Sequence, residues 1–431
     1  MILNPEQKLR IKIKRENLIP DPENIGEFIK GDRKKRFGFL SANNWVFHKD
    51  IAKLVLQGKY DEITPFSTEF VTTNNCSNRC DICGYGPVKM LENVWTQNLF
   101  DDEENHMKDF DYAKSLLDKL IDGGIKGVTF TGGGEPFLFI GLENLVQHVT
   151  DRGIDSVAYT NGNSISRNRI SKLIKAQPKI IRVSLNAGTK MVYDEFHKPL
   201  KKNGAFQRTL KTIEQLAIES QDYPDLTIGI GVVINEINQD DLVNTALRIK
   251  EITDKTGGGI DFIAYRPAFD YYRKIQLSPE LLDRTHNTIE RFVRNVLKNT
   301  GVSVSNVTCR YDALKKDTRT YKQCRSTGLF AELGPSGHLH HCCDRNLNRK
   351  YRIGDLKTQS VQEIYESDRR KQVLQYISQN NCKICPPACK THEMNIKFQQ
   401  IEDLRDAKKL YKVELWIDEQ RKMPKPKMVN F

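Results

Sequence analysis

Three cysteines, Cys76, Cys80 and Cys83, stand in a CxxxCxxC spacing directly after an apolar, Thr- and Val-containing run at 66–73. Three thiolates on one short loop suit three irons of a [4Fe-4S] cube, leaving the fourth iron open to a ligand from outside the chain. A structural zinc ion would want a fourth Cys or His nearby, and none lies between Cys83 and His106. The other seven of the ten cysteines all follow residue 308, so the thiols divide into two sites on two structural units. In a reducing compartment such thiols are metal ligands or reactive groups rather than disulfides. Polar and glycine-rich clusters stand between the two sets: Gly132-Gly133-Gly134-Glu135-Pro136, Thr160-Asn161-Gly162, and Ser184 with Asn186.

Each cluster follows a segment with strand character. Strands read at 66–73, 127–131, 156–160, 180–185, 226–234 and 260–265. Helices read between them from apolar residues at helical spacing: Ala113, Leu116, Leu117 and Leu120; Leu142, Leu145, Val146 and Val149; then 210–218 and 242–252. Six strands alternating with helices require parallel pairing and right-handed crossovers, which predicts an α/β fold, a partial (β/α)6 TIM-like barrel. In such a barrel chemistry gathers at the carboxyl ends of the strands, where every one of these clusters falls.

CxxxCxxC at the end of the first strand of a repeated β/α unit resembles the radical S-adenosylmethionine (SAM) superfamily. The resemblance implies that Cys76, Cys80 and Cys83 hold a [4Fe-4S] cluster whose open iron is chelated by the amino and carboxylate groups of SAM. Gly133, Gly134 and Glu135 resemble the family's GGE motif, whose backbone holds the methionyl amine. Thr160 and Asn161 resemble its TNG, Ser184 and Asn186 its ribose and carboxylate contacts, and the strand with Gly229 and Gly231 the one that packs near adenine. Ile82 stands where the family commonly has an aromatic residue over adenine, and an aliphatic side chain still covers a ring face by dispersion. Tyr85 offers another aromatic surface.

The later pattern Cys324, Gly337, Cys342, then Cys382-Lys-Ile-Cys385, with 352–356 and an expected helix at 361–377, resembles the twitch or SPASM extension of these enzymes. Two fully cysteine-ligated auxiliary clusters would need eight thiolates. The resemblance therefore implies one auxiliary [4Fe-4S] cluster on Cys324, Cys342, Cys382 and Cys385, with zinc on the same thiolates as its rival. Cys309, Cys343 and Cys389 remain as candidate hydrogen-atom donors. His338, His340 and His341 read as surface or supporting residues. Arg266, just past the sixth strand, is placed to hold a substrate carboxylate or phosphate, or to form a structural ion pair.

The organisation expected is an amino-terminal extension at 1–65, a barrel at 66–300, an auxiliary-cluster domain at 301–393 and a charged tail at 394–431. No apolar run approaches the roughly 18 residues of a membrane helix, and the chain opens without a basic-then-apolar leader, so a cytoplasmic protein is expected. Net charge is +12, from 67 Lys and Arg against 55 Asp and Glu, which favours anionic partners. The basic stretches at 8–14 and 31–36 read as solvated surface, which makes nucleic acid a poorly supported partner. The resemblance implies an oxidoreductase or isomerase that cleaves SAM to a 5′-deoxyadenosyl radical, with flavodoxin or ferredoxin as external reductant. A small molecule such as a sugar or nucleoside, oxidised, dehydrated or epimerised, is the first substrate expectation. Cross-linking or epimerisation of a ribosomally made peptide is the alternative, and a non-catalytic iron-sulfur or zinc protein is the reading of another class.

Overall fold

The computed structural model describes residues 44–83, 105–268, 277–306, 308–316, 319–345 and 348–422, excluding the side chains of 308 and 309. The stretches at 8–14 and 31–36, Tyr85 and the Cys309 side chain lie outside the described residues. Ten strands form one sheet: β1 (Ser67–Val71), β2 (Gly127–Thr131), β3 (Asp155–Thr160), β4 (Ile180–Ser184), β5 (Thr227–Ile234), β6 (Phe262–Pro267), β7 (Ser303–Asn306), β8 (Phe330–Leu333), β9 (His338–His340) and β10 (Arg352–Asp355). Their order is β10-β9-β8-β1-β2-β3-β4-β5-β6-β7. Pairing is parallel from β8 through β1 to β7 and antiparallel from β8 to β10.

The expected partial barrel is therefore present, with two additions. β7 joins β6 in parallel, so the barrel's sheet runs past the expected boundary at 300; its sequence, Ser-Val-Ser-Asn, is too short and polar to read as a strand. β8 joins the free edge of β1, so the carboxyl-terminal cysteine segment is tied into the barrel's own sheet. The sheet has two faces because side chains alternate along each strand. Val128, Phe130, Ile181, Val183, Ile228, Ile230, Val232 and Ile263 share one core with helical residues such as Leu116, Leu145, Leu173, Ile213 and Ile249. On the other face Val157, Ile180 and Phe262 form an inner cluster with Tyr159 and Ala264.

The helices follow from the same patterning. Helix α1 (Phe110–Asp122) buries Ala113, Leu116, Leu117 and Leu120, and its first turn is capped by Asp109, whose carboxylate accepts from the Tyr112 amide at 2.8 Å. The helix expected at 361–377 is two helices, α2 (Val361–Glu366) and α3 (Asp368–Gln379), because Ser367 is extended and caps the second through the Arg370 amide. The charged tail expected from 394 is corrected too. Helices α4 (His392–Asp406) and α5 (Tyr411–Lys422) pack Phe398, Ile401, Val413 and Trp416 against Trp45, Val55 and Tyr60. Dense charge between these apolar residues hides a helical face that packs on residues 45–66.

Gly229 on β5 shows how tightly the inner face is built: a Cβ there would stand 1.9 Å from the Phe262 ring. Gly229→Ala should therefore cost roughly 2 kcal/mol by overpacking. The check is a lower urea midpoint with unchanged slope in equilibrium unfolding.

Candidate active site

The loop carrying Cys76, Cys80 and Cys83 leaves the carboxyl end of β1 and is held from three sides. From the β2 side, the amide of Gly134 donates to Thr73 O at 3.0 Å and that of Glu135 to Asn75 O at 2.8 Å. At Gly134 a Cβ would fall 1.8 Å from Asn75 O, so this backbone approach demands glycine. From β3, the Asn161 amide group donates to Ser77 Oγ at 3.0 Å and lies 3.8 Å from Cys76 Sγ. Below the loop sits His197, at the end of the helix Lys190–His197, which is buried and accepts the Arg79 amide on its carbonyl at 2.9 Å.

Burial lowers the His197 pKa to about 4, so the ring is neutral. Its Nε2 lies 3.0 Å from Leu185 O and its Nδ1 3.3 Å from Asn78 Nδ2. This assigns Nε2 as donor and Nδ1 as acceptor. Cys80 Sγ is 3.5 Å from that Nδ1. Desolvation raises the Cys80 pKa well above its usual value, and the thiols of Cys83 and Cys76 add to the rise, so the three sulfurs share one site. Ile82 is half-buried on the same loop.

The motif residues at the next strand ends largely hold one another. The buried Glu135 carboxylate accepts from Thr160 Oγ1 and from the Asn161 amide, both at 2.7 Å, which locks the loop after β2 to the end of β3. Burial nevertheless pushes its pKa up to about 7. Asn186 takes the left-handed conformation at φ 58, its Oδ1 accepts from the Val233 amide at 2.7 Å, and its carbonyl accepts from Asn238 Nδ2 at 2.7 Å. Ser184, half-buried, ends β4 on the inner face. Arg266 lies within β6 rather than past it, in register with Val233. Sequence reasoning passed over His197 and Asp241; Asp241 Oδ2 accepts the amides of Gly188 and Thr189 at 2.6 and 3.1 Å and fixes the turn after Asn186. Nothing in their spacing marked either.

The second thiol set is centred on Cys324. Burial raises its pKa, and its charge is felt by Cys342, Cys382, Cys385 and Cys389. Cys389, unassigned from the sequence, thus stands with the four expected ligands, while the free thiol of Cys343 is hydrogen-bonded to that of Cys342, and both lie within 4.8 Å of the Asp344 carboxylate. The C-x-x-C turn is shaped by left-handed Asn381 and Cys382, and Arg319 donates to the carbonyls of Cys382 and Cys385 at 2.7 and 3.0 Å. Asn395 of α4 donates to Cys324 Sγ at 3.4 Å and accepts the Ser326 amide at 3.0 Å. The surface role expected for the three histidines is corrected: His338, His340 and His341 are all buried, with His341 stacked on Tyr351. Buried thiols whose ionisation is opposed by burial and by one another fit a bound cationic cluster, which relieves both costs.

Residues 70–249 match the radical SAM superfamily, and residues 324–390 match the iron-sulfur cluster-binding domain SPASM. The chain carries a radical SAM domain joined to a SPASM domain. An AdoMet-dependent heme synthase from Methanosarcina barkeri is 26% identical over 274 residues, covering 60% of this chain and 73% of that protein. An Fe-coproporphyrin III synthase from the same organism is 28% identical over 170 residues, 39% of this chain and 37% of its own length. Among solved structures, Streptococcus suis SuiB bound to its precursor peptide SuiA aligns with TM-score 0.55 at 16% identity, over 80% of this chain and 74% of that one, a likeness of fold.

The architecture is that of an enzyme that generates a 5′-deoxyadenosyl radical from SAM. Among the described residues no helix is long and apolar enough to cross a membrane. In a radical SAM domain the close approach at Gly134 carries a prediction. Gly134→Ala pushes the loop after β2 away from Asn75 and should weaken SAM binding by at least about tenfold. Equilibrium binding of SAM to the reconstituted variant, with iron content measured beside it, checks this.

Proposed function

We propose that this radical SAM enzyme modifies a peptide, cross-linking or epimerising it by hydrogen abstraction from a carbon of the chain. The observation that carries this is the match along 80% of the chain to SuiB, whose structure holds the precursor peptide SuiA. On this reading Cys76, Cys80 and Cys83 hold the SAM-bound cluster, and Cys324, Cys342, Cys382 and Cys385 the auxiliary one, with Cys389 beside them. When bound, the first cluster supplies the electron that splits SAM, and the second a place for substrate or for an electron taken from it. The chain's part is to orient and to enclose. Glu135, Thr160 and Asn161 keep the loops after β2 and β3 in fixed relation, and the Gly133-Gly134 backbone beside them would hold the methionyl amine.

The abstracted hydrogen leaves as part of 5′-deoxyadenosine. The substrate radical then either gives up one electron and one proton, a net oxidation, or regains a hydrogen atom from a thiol such as Cys343, an epimerisation, the thiyl radical left behind being returned to thiol by one electron from the external reductant and one proton. A second reading, a small acidic metabolite, is favoured by the sequence relatives, whose names assign them to heme and Fe-coproporphyrin III. A peptide library and a metabolite extract, each added to reconstituted enzyme with SAM and dithionite in D2O, separate the two. A peptide that raises 5′-deoxyadenosine output and loses two hydrogens, or gains one deuterium, supports the proposal. Stimulation by the metabolite extract alone overturns it in favour of the second reading.

A further inference from the structure

The inner face of the sheet carries a guanidinium that forms no ion pair among the described residues. Arg182 sits in the middle of β4, between Ile181 and Val183, which face the helices, so its side chain points to the barrel interior. Its neighbours in register are Tyr159 on β3 and Gly229 on β5. The guanidinium carbon lies 3.7 Å from the centre of the Tyr159 ring, a stacking that fixes the plane of the fork. Arg182 Nε is buried and has no acceptor within hydrogen-bond reach. The nearby strand position is Gly231, where a Cβ would stand 3.4 Å from that Nε, so a larger side chain there would crowd this edge of the fork. The other cation reaching Tyr159, Lys390, is already paired with Glu69 of β1.

Arginine keeps its proton under all ordinary conditions, and a partly desolvated, unpaired guanidinium is costly until an anion meets it. A planar fork held on an aromatic ring is shaped for two parallel bonds to a carboxylate. We propose that Arg182 is the docking point for a substrate carboxylate inside the barrel. This rests on the reading that the barrel interior receives the substrate, whether peptide or metabolite. Both carry carboxylates, and so does SAM, so the test reads a substrate carboxylate apart from that of SAM.

The probe is glutarate, titrated calorimetrically into the anaerobically reconstituted full chain saturated with SAM. Saturable binding to the parent that weakens at least about tenfold in Arg182→Gln, with Arg182→Lys in between because it keeps the charge and loses the fork, is the expected result. No saturable binding to the parent, or equal affinity in Arg182→Gln, overturns the proposal. SAM affinity is read in the same variants: a tenfold loss there with glutarate unaffected assigns the fork to the methionyl carboxylate and also overturns it. If Arg182→Gln does not retain iron, Gly231→Val replaces it, since that side chain closes the edge beside Nε while leaving the charge. Glutarate binding does not depend on turnover, so a failed search for a peptide product leaves this result standing, and a failed glutarate titration leaves the peptide reading standing.

Discussion

Cys80→Ala should lower 5′-deoxyadenosine formation by at least roughly a thousandfold, about 4 kcal/mol in barrier. The residue is the middle of three thiols on a loop pinned through its backbone by Gly134, Glu135 and His197 and through Ser77 Oγ by Asn161. That pinning makes the loss severe, because the loop cannot shift to bring in another donor: no other cysteine lies between Cys83 and Cys309. Two sulfurs would hold an iron-sulfur cube poorly, and no site would remain to present SAM with an electron. Iron analysis, the visible absorption of the reconstituted variant and chromatographic quantification of 5′-deoxyadenosine check the result together. Loss of product with the auxiliary iron retained is expected, since the second thiol set lies before β8, after β9 and between α3 and α4, and owes nothing to Cys80.

Cys324→Ala should do the reverse. Cys324 is the sulfur that Cys342, Cys382, Cys385 and Cys389 all feel, so its removal takes the centre out of the buried thiol set. Iron content should fall by roughly half, and product formation from substrate should stop, while slow cleavage of SAM without substrate persists. Iron per chain, and SAM cleavage with and without substrate, read these effects separately. Cys389→Ala tells whether that neighbouring thiol is a ligand: a loss of iron equal to that in Cys324→Ala makes it one.

How much of this was legible depends on the range of the interactions. The barrel strands could be read because each carries a local signature, apolar and β-branched runs ended by glycine or polar turns, as in Gly127–Thr131 before the glycine turn. The cysteine loop and the strand-end motifs were legible for the same reason, being contiguous in sequence. The joining of β8 to β1 was not, since residues more than 260 positions apart pair in register, Ser67 with Phe330, and nothing local announces it. Arg182 and Lys390 were missed because their meaning lies in what surrounds them: an arginine on a strand reads as a solvent-facing charge until the opposite face is seen packed with helices. The run Cys382-Lys-Ile-Cys385-Pro-Pro-Ala-Cys389 did hold a signal for Cys389, four residues from a proposed ligand, but only the fold brings it to Cys324.

The most direct measurement is the quantity of 5′-deoxyadenosine formed by anaerobically reconstituted parent enzyme given SAM and dithionite, beside the triple variant Cys76→Ala, Cys80→Ala, Cys83→Ala. Formation by the parent and none by the triple variant is the predicted result. Equal formation by both would contradict the assignment of SAM cleavage to the loop after β1.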